Sequence, residues 1–390
     1  MKLNISIFLS SLTLLINPFY LLIIGALIET RIKLKSFFII FLAISISLSM
    51  SNRDIGGSWY GSNGEIGIDD GYNYSKYYNS LEQDSYILDP ISYIPNLLEG
   101  KEPLWYIIAE VSGLISGFNI EFLKFFSVFI PIILIHFSFL KFGKSFCTIG
   151  VVFFFLTPEV FHTIFHLWRL SLATSIAYLL FAISIKKKIN FIKIFSPVFA
   201  HISSLALFPV LWSPYKNNNI ESWSLLKKTY SSIPYLMISI VGFIIVLIFF
   251  NYFEFDKLQY YFDNSDNEFN YSLRHLIYFL LSISIFYYSK NFQILKVSVL
   301  GIIMLSIPLY FDNISLFYER ILILFTPLLS LAFGKILSQN LRLRQLTIIP
   351  IFFLCIYIMN NNSSILFYPF MSNGNIFSIE NGILYNIYYR

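Results

Sequence analysis

Apolar residues fill this chain in long blocks, and polar residues are confined to the gaps between them. The blocks are Leu3 to Ile28, Phe37 to Met50, Phe122 to Leu140, Phe146 to Leu156, Leu170 to Ile185, Ile233 to Phe250, Leu273 to Tyr288, Val297 to Phe311, Leu316 to Leu337 and Leu346 to Met359. Each predicts a helix. Several fall short of the roughly 20 residues that a full bilayer crossing prefers, which predicts tilted packing, local thinning or half-helices within a bundle. Two more segments are ambiguous: Pro103 to Phe118 is short and contains Glu110, and Phe191 to Trp212 is interrupted by Pro197, His201 and Pro209.

These two segments decide the topology. If both cross, the chain has about twelve spans, and Lys141, Lys144, Lys186, Lys187, Lys188 and Lys193 fall outside, against the tendency of lysine to stay on the cytoplasmic side. If both dip in and return, about ten spans remain and the same lysines move inside. We favour the second arrangement, because a broken helix is tolerated at membrane depth where it lines a protein cavity. Arg31, Lys33 and Lys35 outweigh Lys2 and set the N-terminus outside. The first block is too long for a signal-peptide core and lacks a small-residue cleavage site, so it is expected to remain as a span. The expected fold is an all-α polytopic integral membrane protein of about ten transmembrane helices plus two re-entrant or broken segments, with twelve full spans as the alternative. Residues 51–101 form one large extracytoplasmic loop, residues 251–272 a second, and residues 361–390 an extracytoplasmic tail on a single membrane domain, 1–390.

Composition agrees and excludes a water-soluble surface: 56% of residues are apolar and 13% charged, with a mean hydropathy of +0.68. The net charge of +5 comes from loop lysines and reads as topology, not as a nucleic-acid patch. Cys147 and Cys355 lie in predicted spans and suggest neither a disulfide framework nor a metal site. The loops are acidic or neutral and rich in tyrosine. For any single tyrosine an interfacial belt is the ordinary reading. The functional reading is a sugar-binding surface whose aromatic faces stack on pyranose rings, with Tyr74, Tyr78 and Trp105 as candidates.

In the ten-span arrangement Arg53, Arg169, Arg274 and Arg320 sit at outer ends of spans; twelve spans would move only Arg169 inward. Lysine inside needs no special explanation, whereas guanidinium groups outside suit an anion, and planar guanidinium pairs phosphate oxygens bidentately. A diphosphate leaving group departs as a stable anion and needs charge stabilisation more than a carboxylic acid. What remains is a base for the attacking sugar hydroxyl, and Asp69, Asp70, Glu102, His201 and His275 are the candidates. Each has a structural reading beside the chemical one. Glu102 precedes Pro103, where a carboxylate stabilises a helix start whatever the function. His201 in an apolar setting could be a hydrogen-bonded helix contact. Asp69 and Asp70 lie in a loop, where aspartates are common. Arg320 has Glu319 beside it as a local counter-charge. His162 and His166 are spaced i to i+4, yet no third metal ligand is near.

The order of these features resembles the EpsG-type family of bacterial exopolysaccharide and O-antigen (Wzy-like) polymerases. The resemblance rests on Ile66-Gly67-Ile68-Asp69-Asp70-Gly71-Tyr72-Asn73-Tyr74, on Glu102-Pro103-Leu104-Trp105-Tyr106, on Arg169 with Ala173, and on Phe199-Ala200-His201-Ile202-Ser203-Ser204-Leu205-Ala206. It covers most of Arg53 to Trp212 and, more faintly, Arg320. Arg53 would match an arginine shortly after the second span, Arg169 the arginine of an Arg-Gln-x-x-Ala pattern, and His201 the histidine of a His-x-Ser-Ala pattern. This chain departs from the pattern twice: Leu170 replaces the glutamine, and Gly56 to Glu65 lengthens the interval after Arg53.

The resemblance implies an inner-membrane enzyme that joins polyprenyl-diphosphate-linked oligosaccharide repeats at the outer face, releasing polyprenyl diphosphate. For such a reaction we expect Arg169, with Arg53, Arg274 and Arg320, to clamp the departing diphosphate, and the catalytic groups to be Arg169 together with Glu102, Asp70 or His201, which would orient or deprotonate the acceptor. No metal or cofactor is expected. The partners implied are the lipid-linked oligosaccharide, membrane lipid, and a chain-length regulator and flippase of the same pathway, with no nucleic acid. Two alternatives stand. A flippase or transporter of lipid-linked sugars should show two related halves, which are not evident here. An O-antigen ligase or lipid-sugar glycosyltransferase would share the outer loop and the clamp.

Overall fold

The computed structural model describes residues 2–12, 18–29, 34, 36–51, 58–60, 66–68, 78–79, 103–142, 163–164, 167–201, 204, 207–212, 219–234, 237, 273–306 and 315–339. In chain order these form α1 (Lys2–Leu12), α2 (Pro18–Glu29), α3 (Ser36–Ser51), β1 (Ser58–Tyr60), β2 (Ile66–Ile68), α4 (Pro103–Ser116), α5 (Ile120–Phe142), α6 (Trp168–Ser184), α7 (Phe191–Ile194), a 3-10 turn (Ser196–Phe199), α8 (Phe208–Leu211), α9 (Leu273–Tyr288), α10 (Phe292–Ser306) and α11 (Ser315–Gln339). A further helical stretch covers residues 225–234.

Most apolar blocks become helices close to their expected limits. The first does not remain one element: α2 begins at Pro18, inside the block Leu3 to Ile28. Proline has no N–H to give a preceding turn and suits the first position of a helix, so the block holds two helices. The blocks Phe146 to Leu156 and Leu346 to Met359, and nearly all of Ile233 to Phe250, lie outside the described residues.

Among the described residues α5 is the one helix both long and apolar enough to cross a membrane. Its 23 residues extend about 35 Å at the helical rise, against a hydrocarbon core of about 30 Å. The other apolar helices are shorter. Helices α3 and α6 pack on α5, helices α9, α10 and α11 pack on one another, and α11 joins the two groups through α5 and α6. One apolar core runs through both, from Phe38 and Ile46 through Phe139 and Phe181 to Val297, Leu328 and Ala332. At Gly301 the second group closes tightly: a β-carbon there would meet the Ser282 hydroxyl at 2.5 Å and Leu329 at 2.8 Å.

The perimeter is nearly as greasy as the core. Phe8, Phe41, Ile107, Ile115, Ile277 and Leu280 all present exposed side chains. Hydroxyl groups within the helices turn back on their own backbone, as Thr174 donates to the Leu170 carbonyl at 2.8 Å, Ser282 to Tyr278 at 2.8 Å and Thr326 to Leu322 at 2.6 Å. Where no water is at hand, this internal donation satisfies those hydroxyls. The apolar perimeter and the hydroxyls satisfied within their own helices together describe a membrane protein.

The expected outer loop brings the one departure from an all-helical fold among the described residues. Strands β1 and β2 pair antiparallel, with Ser58 opposite Ile68 and Tyr60 opposite Ile66. The pairing brings Ile68 back beside Ser58. The ambiguous segments resolve differently from each other. α4 is an unbroken helix from Pro103, and it reverses into α5 through Gly117 (φ 64°) and Phe118 (φ 58°), where the Phe118 amide bonds the Gly113 carbonyl at 2.9 Å. Residues 191–212 are broken, as the prolines predict: Pro197 lies in the 3-10 turn and Pro209 in the first turn of α8. The segment also comes back on itself, since the Phe208 ring meets the rings of Phe191 and Phe195 at 5.7 and 5.2 Å.

The helices share a lysine-rich end. Asn291, in the turn between α9 and α10, donates to the Ile185 carbonyl at the close of α6 (3.0 Å). Lys228 donates to the carbonyls of Tyr287 (3.2 Å) and Ser289 (2.8 Å), and Lys290 pairs with Glu221. Lys335, late in α11, lies over the Phe142 ring at the close of α5 and within electrostatic reach of Lys186. Burial holds the Lys228 ammonium below the ordinary lysine pKa. Arg169, Arg274 and Arg320 belong to the opposite ends of these helices: the second residue of α6, the second of α9 and the sixth of α11.

Candidate functional site

A second apolar cluster, separate from the main core, gathers at the start of α6. It comprises Tyr78, Trp105 and Ala109 of α4, Leu123 of α5, Trp168, Leu172 and Ala173 of α6, and Ala200 at the close of the 3-10 turn. Four stretches far apart in sequence thus meet around the first turns of one helix.

Helix α6 starts without a side-chain cap. Leu167 takes a non-helical conformation, its amide bonds the Thr163 carbonyl at 3.1 Å, and its own carbonyl accepts from Ser171 at 2.7 Å. Trp168 is buried, and Arg169 beside it is half-buried. A guanidinium in the first turn adds its charge to the positive end of the helix dipole. That arrangement is unfavourable to the helix itself and favourable to an anion placed nearby. One turn on, Ala173 is fully buried and contributes so little bulk that the turn carrying Ala200, also fully buried, packs against α6.

His201 follows Ala200 at the apex of the broken segment. Its amide donates to the Pro197 carbonyl (3.1 Å), and its carbonyl accepts from both the amide (3.1 Å) and the hydroxyl (2.8 Å) of Ser204. The backbone is held on both sides, which fixes where a half-buried imidazole can reach. The structure therefore brings together the Arg169 turn, the His201 turn and the start of α4, to which Glu102 is joined through Pro103.

Tyr78 and Trp105, expected as sugar contacts, are enclosed, at 0% and 2% exposure. Tyr78 packs against Phe118 at 5.6 Å, and its hydroxyl lies 3.3 Å from Ser116 and 3.4 Å from the Asn119 carbonyl, both at the α4–α5 reversal. Both rings are part of the cluster that packs α4 and the α4–α5 reversal beside the start of α6. His275 is likewise interior, at 2% exposure. Arg274 and Arg320 are placed by backbone only, in α9 and α11. Arg53, Asp69, Asp70, Tyr74, Glu102, His162, His166, Cys147 and Cys355 lie outside the described residues.

Three residues that tie separate elements together at the lysine-rich end escaped the sequence reading: Lys228, Asn291 and Lys296. The available signal was a lysine, Lys296, amid the apolar run Phe292 to Ser306, which only the folded geometry turns into a contact.

A helical membrane protein emerges, with a broken segment packed beside an arginine-bearing helix start. The model of the EpsG family matches residues 57–372, about four-fifths of the chain, and the chain belongs to that family. Membership makes it a polymerase-like membrane protein of polysaccharide biosynthesis. The match includes every candidate site residue except Arg53, which precedes it. Among curated proteins and solved structures, none matches the chain.

Proposed function

We propose that the protein joins polyprenyl-diphosphate-linked oligosaccharide repeats into O-antigen, capsule or exopolysaccharide at the outer face of the bacterial inner membrane. The observation that carries this reading is the meeting of the Arg169 turn, the His201 turn and the start of α4 around one cluster, within the matched region of the EpsG family. The terminal hydroxyl of one lipid-linked repeat attacks the anomeric carbon of the growing chain, and the bond to the diphosphate oxygen breaks. Arg169, with Arg53, Arg274 and Arg320, stabilises the departing charge, and His201, Glu102 or Asp70 takes the hydroxyl proton. Tyr74 in the outer loop is the proposed sugar contact, while Tyr78 and Trp105 shape the wall behind it.

Sidedness follows from charge. With the lysine-rich end in the cytoplasm, the arginine-bearing helix starts face outward, and residues 191–212 enter and leave from the cytoplasmic side with His201 at their apex. The return of residues 191–212 to the side they came from is the feature that favours about ten spans over twelve.

The test is a surface-glycan gel on a deletion strain complemented with wild type, Arg169→Ala, Arg169→Lys or His201→Ala, with membrane levels checked by blot. The expected result is a ladder that collapses to a single repeat for Arg169→Ala and His201→Ala. An unchanged ladder in the deletion strain would sink the polymerase reading; polymer retained on the carrier lipid would favour a ligase, and repeats stranded inside a transporter.

A further inference from the structure

Lys296 sits in the second turn of α10, 3% exposed, between the buried apolar neighbours Leu295 and Val297. An ammonium there is costly unless its donors are met. They are met by one stretch of chain: its Nζ donates to the carbonyls of Pro209 (3.0 Å), Val210 (3.2 Å) and Trp212. Three acceptors thus face a group with three N–H donors. All three carbonyls belong to α8 or the residue after it, the return limb of the broken segment. A four-residue helix leaves its last carbonyls without partners of its own, and the lysine supplies them. The outward limb is held differently, by the rings of Phe191 and Phe195 against Phe208 and by Ala200 within the cluster at α6. Between Ala200 and Pro209 the chain makes its reversal and carries His201.

We infer that Lys296 is a positioning residue, which pins the return limb of the broken segment to α10 and so fixes where His201 stands beside α6. It rests on the reading that His201 serves the transfer. A side chain too far to touch the reacting atoms acts here through the limb it holds. A displacement of about 1 Å at a reacting group is enough to cost on the order of a hundredfold in rate.

The test separates position from activity. Ser204 is 2% exposed and lies in the segment just past His201, so Ser204→Cys is a nearly isosteric reporter of its packing; Ser45, 1% exposed on α3, gives a control at Ser45→Cys. Full-length protein in native membranes is treated with a membrane-permeant maleimide, and labelling is read above that of the parent with Cys147 and Cys355. Lys296→Met is expected to raise labelling at position 204 at least fivefold and leave position 45 protected, and Lys296→Arg, which keeps its donors, to restore protection. Lys296→Gln serves in the same comparison if Lys296→Met does not accumulate. Protection unchanged at 204, or an equal rise at 204 and 45, would overturn the inference, the second because the lysine would then hold the whole bundle. The glycan ladder is read on the same lysine variants without the reporter, with tenfold or greater loss of polymer expected for Lys296→Met and rescue for Lys296→Arg. If labelling behaves as expected while deletion of the protein leaves the ladder intact, the clamp stands and the polymerase reading falls.

Discussion

At the scale of single residues, the site proposed here calls for guanidinium where an ammonium would carry the same charge. Arg169 begins α6 at the positive end of the helix, and a planar fork there can give two parallel hydrogen bonds to a diphosphate, which a lysine cannot. Arg169→Lys is therefore expected to behave like Arg169→Ala, with single-turnover transfer down by about 10²–10³-fold, the scale for losing one donor to a developing anion. Near-normal transfer by Arg169→Lys would reduce the role to bulk charge. The sequence made Arg169 and His201 legible because a cation and an imidazole stand out in apolar runs. It did not make the enclosure of Tyr78 and Trp105 legible, since a tyrosine in a polar loop and a tryptophan at a helix start look exposed until Ala173 and Ala200 are seen to let the chains close around them. Nor could it show that the three acceptors for Lys296 come from residues 84 to 87 positions earlier.

At the scale of elements, apolar length and proline position carried most of the information. The block Leu273 to Tyr288 became α9 with the same limits, and Pro197 and Pro209 marked where residues 191–212 break. Pro18 had the same meaning, yet a continuous apolar run masked it, and the first block divided into α1 and α2. Pro131 and Pro327 did not break α5 and α11, because packing on neighbouring helices holds a helix through a proline. The α4–α5 reversal rests on Gly117, whose φ of 64° is open to glycine and strained for a β-branched residue. Gly117→Val is expected to lower stability by about 1–2 kcal/mol, seen as an earlier thermal midpoint in detergent, and Gly117→Asn by less. An equal midpoint for Gly117→Val would show that the turn relaxes without disturbing Tyr78 and Phe118. The second helix group has a different weak point at Gly301, where α9 and α11 press on α10 from both sides. There Gly301→Leu should separate the three helices and lower the amount of folded protein in the membrane, read by fluorescence-detected size exclusion.

At the scale of the whole molecule, lysines gather at one end of the helices while Arg169, Arg274 and Arg320 stand toward the other, where Lys124 also lies, and the sidedness this implies is testable. Lys186, Lys228, Lys290, Lys296 and Lys335 collect around the closing turns of α5, α6 and α9, tied across elements by Asn291 on Ile185 and by Lys228 on Tyr287 and Ser289. Because Asn291 bonds the last turn of α6, the turn at residues 289–291 and the lysines at 186–188 must face the same side of the membrane, whichever side that is. The sequence alone left Lys186 to Lys188 inside with ten spans and outside with twelve. Thiol labelling of intact cells by an impermeant reagent at Lys187→Cys, Lys290→Cys and Asn119→Cys, the last in the α4–α5 reversal, distinguishes them. The arrangement proposed here predicts that positions 187 and 290 are shielded until the cells are opened and that position 119 is reached from outside. Labelling of 187 but not 290 in intact cells would contradict the bond between Asn291 and Ile185, whereas labelling of both would invert the protein. In the inverted case Arg169 and His201 would face the cytoplasm, and the outward-facing site proposed for them would fall.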